Sequence, residues 1–170
     1  MRRSVIFFPE FCNMDVIHQI RSVYDPLANC IAPHITLVFP FDSGLMTEEL
    51  RTHAVNALAG VGKFSVALQG ITGDARDGYL FLNVMQGNDQ IIDLHDRLYA
   101  GLLSPFLSRR MTYVPHLTVG RLREKEAFEH AAEALATMQD RFEAVIGKVY
   151  VERIGEDESS LIEFAVELQS

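Results

Sequence analysis

The sequence predicts an α+β fold built as a duplication. Two lobes, about 1–75 and 76–170, each contribute an antiparallel-rich sheet with helices outside, related by a pseudo-twofold axis about a central cleft. Three observations carry this. Strand-like and helix-like segments alternate in the same order in both halves of the chain. A proline–histidine–apolar–threonine–apolar stretch occurs once in each half, at the same place in that order. The 170 residues, 48% hydrophobic and 22% charged, suit one compact domain with a sizeable core.

Ser4–Phe8 opens as an apolar strand stopped by Pro9-Glu10, too short for a secretory h-region. Asn13–Tyr24 places Val16, Ile17, Ile20, Val23 and Tyr24 on one helical stripe. His34–Phe39 is the first histidine strand. Thr47-Glu48-Glu49-Leu50 starts a capped helix that runs to about Ala59 and stops at Gly60. Phe64–Ile71 closes the first half as a strand.

Tyr79–Met85 begins the second half as a strand. Asn88–Leu103 is helical, with Ile91, Ile92, Leu94, Leu98, Tyr99 and Leu102 recurring at helical spacing. His116–Leu122 is the second histidine strand. Glu124–Met138 is a helix carrying Phe128, Ala131, Ala132, Leu135 and Met138. Ala144–Ile154 and the appended 161–168 are the last two strands, joined by the acidic turn "GEDESS".

A formal net charge of −8 argues against an extended duplex nucleic-acid face, whose affinity comes from neutralising many phosphates. A local phosphate pocket is compatible with it. No apolar run approaches the roughly 20 residues that cross a bilayer, so no membrane contact and a cytoplasmic location are expected. Cys12 and Cys30 are too few for a disulfide scaffold and read as buried or incidental thiols.

Residues i and i+2 of a strand share a face. His34 and Thr36 therefore point one way while Ile35, Leu37 and Phe39 point into the core; His116 and Thr118 repeat this against Leu117 and Val119. Pro33 and Pro115 precede the two histidines and fix the chain's entry into each strand. Facing lobes would bring two imidazoles and two hydroxyls to one pocket. An imidazole titrates near pH ~6.5, so one ring can take a proton from an attacking oxygen while the other gives one to a leaving oxygen. The threonine hydroxyls can donate to non-bridging phosphate oxygens. No cofactor is called for, and no carboxylate–histidine cluster has metal-ligand spacing.

"PHITLVF" and "PHLTVGR" resemble the paired motifs of the two-histidine (2H) phosphoesterase superfamily, which includes RNA 2'-5' ligase-like proteins and cyclic phosphodiesterases. The resemblance spans essentially the whole chain. It implies metal-independent hydrolysis of a cyclic or 2'-5' phosphodiester on a nucleotide or RNA end. His34 and His116 would be the catalytic pair, with Thr36 and Thr118 on the phosphate. A rival reading is a nucleotide- or RNA-binding module with little or no turnover; another is a scaffold with a vestigial cleft.

Arg121 is a candidate substrate contact in the same resemblance. Strict alternation from His116 puts it on the opposite face, so a bulge or the strand end must turn it inward. Arg109 and Arg110 fall in a loop before the second motif and are candidates to guide an RNA end. Phe39, Phe41 and Tyr113 are candidates to stack on a base, with Phe39 on the core-facing parity. Tyr79 and Asn83 share one strand face and would floor the cleft. His18, His53, His95 and His130 lie in helical segments, as surface or packing residues.

Overall fold

The computed structural model describes all of residues 1–170. Eight strands and four helices follow in the order β1 (Arg2–Phe7), α1 (Met14–Tyr24), β2 (Ile35–Asp42), α2 (Thr47–Ala57), β3 (Phe64–Asp74), β4 (Tyr79–Gln86), α3 (Asn88–Tyr99), β5 (His116–Arg121), α4 (Lys125–Leu135), β6 (Arg141–Ile146), β7 (Lys148–Ile154) and β8 (Ser160–Glu167). The α+β class, the antiparallel pairing and the cleft are as expected from sequence.

The strands form one sheet in the order β6-β3-β4-β5-β2-β1-β7-β8, where two sheets were expected. The two halves meet at a narrow seam, β2 against β5, with Ile35 opposite Leu117. Outward from the seam, β5-β4-β3-β6 matches β2-β1-β7-β8, which is the pseudo-twofold order. The halves are not contiguous in sequence: β3 lies beside β4, and β7 and β8 lie beyond β1.

The helices cross between halves. The helix that follows β1 packs on β5, and the helix that follows β4 packs on β2. Each motif strand is thus backed by the other half's helix. Gly120 makes one such contact possible, because a β-carbon there would lie 3.2 Å from Cβ of Tyr24 and 3.0 Å from Leu80. The core of Leu37, Leu80, Leu82, Leu94, Leu98, Leu117 and their neighbours fills the space between sheet and helices, and the other face of the sheet is left open as a cleft.

Two elements differ from the sequence expectation. Ala144–Ile154 is two strands in opposite halves of the sheet, because the chain turns at Gly147, whose carbonyl accepts the Leu168 N–H at 2.8 Å. The Asn88–Leu103 helix ends at Tyr99, where Gly101 adopts a φ of 62° and a short 3₁₀ turn, Gly101–Phe106, carries the chain on. Cys12 is exposed and Cys30 half-buried, so neither is a core thiol. No helix is long and apolar enough to cross a membrane.

Candidate active site

The cleft has a volume of about 780 Å³ and is lined from both halves, with His34, Thr36, His116 and Thr118 all on its wall. Extending the Ile35–Leu117 register by one residue each way sets His34 opposite Thr118 and Thr36 opposite His116. The two histidines are then diagonal neighbours, a spacing of roughly 7–8 Å in such a pair. Burial follows the same pattern in both motifs: buried proline, half-buried histidine, buried apolar residue, half-buried threonine.

Each imidazole is oriented by the turn before its strand. Nδ1 of His34 lies 2.9 Å from the Ala32 carbonyl, and Nδ1 of His116 lies 2.7 Å from that of Val114. A carbonyl only accepts, so Nδ1 carries the proton in both rings and Nε2 is the nitrogen left for the cleft. Burial lowers the pKa of both histidines from the ordinary 6.5, opposed in each by the backbone carbonyl. Their surroundings then differ. His34 also feels the Glu152 carboxylate, which raises its pKa, then Arg21, which lowers it, and Asp25, which raises it. No charged group acts comparably on His116, whose ring centroid lies 4.2 Å from that of Phe81.

A bulge brings Arg121 into the cleft. In the β4–β5 ladder Asn83 pairs with His116, Phe81 with Thr118 and Tyr79 with Arg121, leaving Val119 as the extra residue. Directly paired residues share a face, so Tyr79, Phe81 and Asn83 line the cleft beside the motif, as all three do. The Arg121 guanidinium carbon stands 5.0 Å from the centre of the Tyr79 ring, and its buried Nε has no partner.

The first motif contains the matching bulge. Val5 pairs with Val38 and Ile6 with Thr36, so Leu37 is the extra residue. Both Leu37 and Val38 are buried, and Phe39 turns onto the cleft wall, contrary to the parity expected of it. Phe39 and Arg121, each five residues past its histidine, are therefore counterparts. Three side chains satisfy the main chain around this bulge. Tyr113 donates to the Thr36 carbonyl at 2.8 Å, His95 Nδ1 bonds that of Leu37 at 2.7 Å, and the Phe39 N–H donates to the Tyr99 hydroxyl at 3.0 Å.

Two expected stacking candidates are engaged elsewhere. Tyr113 is tied to the brace and stacks on His95 with centroids 3.7 Å apart, and Phe41 is buried against Phe106. Arg109 and Arg110 are exposed and do not line the cleft, although Met111 and Thr112 of the same loop do. His53 caps the Leu98 carbonyl at 2.8 Å, and His18 and His130 are exposed.

Three further groups line the cleft that sequence reasoning does not single out. Glu152 is buried on β7 and accepts hydrogen bonds from the hydroxyls of Ser4, at 2.6 Å, and Ser160. Its signal is a carboxylate within an apolar strand. Arg21, on the apolar stripe of α1, is buried with Asp25 at 2.8 Å, and its Nη1 lacks an acceptor. Phe81 shares the face already assigned to Tyr79 and Asn83. No group of three or more His, Cys, Asp or Glu side chains is disposed to hold a metal ion.

Comparison with known proteins agrees with this architecture. The crystal structure of E. coli LigT complexed with 3'-AMP superimposes with a TM-score of 0.73 at 14% identity, covering 99% of this chain and 98% of that one. The protein TT0787 of Thermus thermophilus does so at 0.72 and 12% identity, over 100% and 99%; at such identities the likeness is one of fold. A Geobacillus thermodenitrificans protein named "Putative phosphoesterase" is 32% identical over 71% of this chain and 69% of its own length. A Bacillus pumilus protein of the same name is 27% identical over 83% and 80%. Residues 7–158, which span both histidine strands and the cleft between them, match the 2'-5' RNA ligase superfamily, and the chain belongs to that family.

Proposed function

We propose that the protein is a phosphoesterase that hydrolyses a cyclic or 2'-5' phosphodiester of a nucleotide or RNA end, with His34 and His116 as general base and general acid. The observation that carries this is the matched presentation of two imidazoles. Each is tied through Nδ1 to a carbonyl and leaves Nε2 at one cleft, on either side of a shared seam. Solved complexes of E. coli LigT with 3'-AMP and with phosphate, and the phosphoesterase names of the relatives, support the substrate class.

In this reading a water attacks phosphorus opposite the leaving ribose oxygen. One Nε2 takes the water's proton as the P–O bond to water forms. The other Nε2–H protonates the leaving oxygen as its P–O bond breaks, giving a phosphomonoester and a free hydroxyl. Thr36, Thr118 and Arg121 donate to the non-bridging oxygens, where negative charge builds in the transition state. The chemistry draws on no metal.

The test is turnover of 2',3'-cyclic nucleotides and 2'-5' oligonucleotides in EDTA by His34→Ala and His116→Ala. Each variant is expected to lose roughly 10²–10⁴-fold in kcat. Full activity in either sinks the mechanism, and saturable nucleotide binding by the native protein without product favours a binding module instead.

A further inference from the structure

The charges of the cleft narrow the substrate further. Four guanidinium groups line it, those of Arg2, Arg21, Arg76 and Arg121, against five carboxylates, those of Asp25, Asp74, Asp77, Glu152 and Glu158. Three of the four cations are already opposed within the cleft: Arg2 by Glu158 at 2.9 Å, Arg21 by Asp25 at 2.8 Å and Arg76 by Asp77 at 3.3 Å. Arg121 alone is in no ion pair, and it lies over Tyr79. Two carboxylates stay without a cation: Glu152 accepts two serine hydroxyls, and Asp74 accepts the Arg76 N–H at 3.0 Å.

A single unopposed cation, two imidazoles and two threonine hydroxyls can compensate one phosphate. A second phosphate would find no further unopposed cation in the lining and two uncompensated carboxylates, in a protein whose net charge is −8, where like charges disfavour it. A site that tracks a nucleic-acid backbone instead offers a positive groove. Arg109 and Arg110, in the loop before β5, stand outside the lining.

Resting on the esterase reading, we propose that the cleft takes a nucleoside-sized phosphodiester with a single phosphate, and that it discriminates against substrates bearing additional phosphates, RNA ends included.

Binding and turnover test this separately. Calorimetry on the native protein compares 3'-AMP, adenosine 3',5'-bisphosphate and a short 3'-phosphorylated oligoribonucleotide, at low and high salt. Turnover is compared on the matching 2',3'-cyclic esters. The expected order is 3'-AMP tightest, with each added phosphate weakening binding about tenfold at low salt. Neutralising the rim with Glu158→Gln and Asp77→Asn together, which frees Arg2 and Arg76, is expected to narrow the gap between mono- and bisphosphate at least about threefold. Binding in the expected order without turnover of any ester supports this inference and sinks the esterase reading alone. Equal or tighter binding of the oligonucleotide overturns it whatever the turnover, all the more if Arg109→Ala with Arg110→Ala abolishes that binding. A gap untouched by the rim variant also overturns it.

Discussion

At the scale of the residue, two similar imidazoles are placed in unlike electrostatic settings. Burial lowers both pKa values from 6.5, so the fraction of enzyme with one ring neutral and the other protonated peaks below that pH. The kcat/KM of a diester is therefore expected to be bell-shaped with its maximum on the acid side of pH 6.5. The kcat profile should peak at higher pH, because a bound phosphate anion favours the imidazolium. Glu152 raises the pKa of His34 and does not act on His116. Glu152→Gln is expected to move one limb of the kcat/KM profile to lower pH and leave the other in place. If the alkaline limb moves, His34 is the acid; if the acid limb moves, it is the base. A variant that shifts both limbs equally would show that Glu152 does not act through His34.

At the scale of the element, the two bulges do what alternation alone cannot. The His-x-Thr pairs were legible in the sequence because a strand has period two and each motif stays in register up to its threonine. Beyond it, Leu37 and Val119 each add a residue, so Phe39 and Arg121 change face. A need for a bulge was visible for Arg121, whose charge has no place in a core, but not for Phe39, an aromatic residue at home on either face. Likewise nothing in Ala144–Ile154 except Gly147 betrayed two strands, since β-propensity is continuous across it. The bulge at Leu37 depends on side chains from α3 and from the loop before β5. Tyr113→Phe leaves the Thr36 carbonyl without its donor, and Tyr99→Phe leaves the Phe39 N–H without its acceptor. Each is expected to cost about 1–2 kcal/mol in urea unfolding, with the kcat of either variant reduced a few-fold; unchanged stability and turnover would show that the bulge holds without them.

At the scale of the whole molecule, helices exchanged between halves make the cleft a product of the complete chain. The sequence conveyed the repeated order of elements but not this exchange, because which strand a helix covers depends on packing across distant segments. The same long-range tying appears on the helix-covered face. Buried Arg3 of β1 reaches across β7 to Glu163 of β8 at 2.8 Å and bonds the Leu45 carbonyl at 2.9 Å, while Thr47 of α2 also bonds Glu163. The hydrogen bonds from Arg3 hold Glu163 down to a pKa of about 2, against the ordinary 4.5. Its contribution, about 3 kcal/mol, is complete above pH 4.5 and is lost as pH falls through about 2. Glu163→Gln is expected to lower stability by roughly 3–5 kcal/mol near neutrality, because Arg3 is left buried and unpaired, and to flatten the fall in urea midpoint between those two pH values. An acid limb identical to that of the native protein would place the pH dependence elsewhere.

The near-symmetry of the seam also raises a question of polarity. Two equivalent histidine–threonine units would accept a diester in either of two orientations, related by turning it end over end. Each histidine would then serve as acid in one orientation and as base in the other. Phe39 and Arg121 occupy the same place on their respective strands and differ in kind, a ring on one flank and a cation on the other. An ester turned around would exchange what its two ends meet. The two bulges thus break the degeneracy of the pair and give the cleft a direction, by which, in the proposed reaction, one oxygen of the phosphate would be marked as the one that leaves.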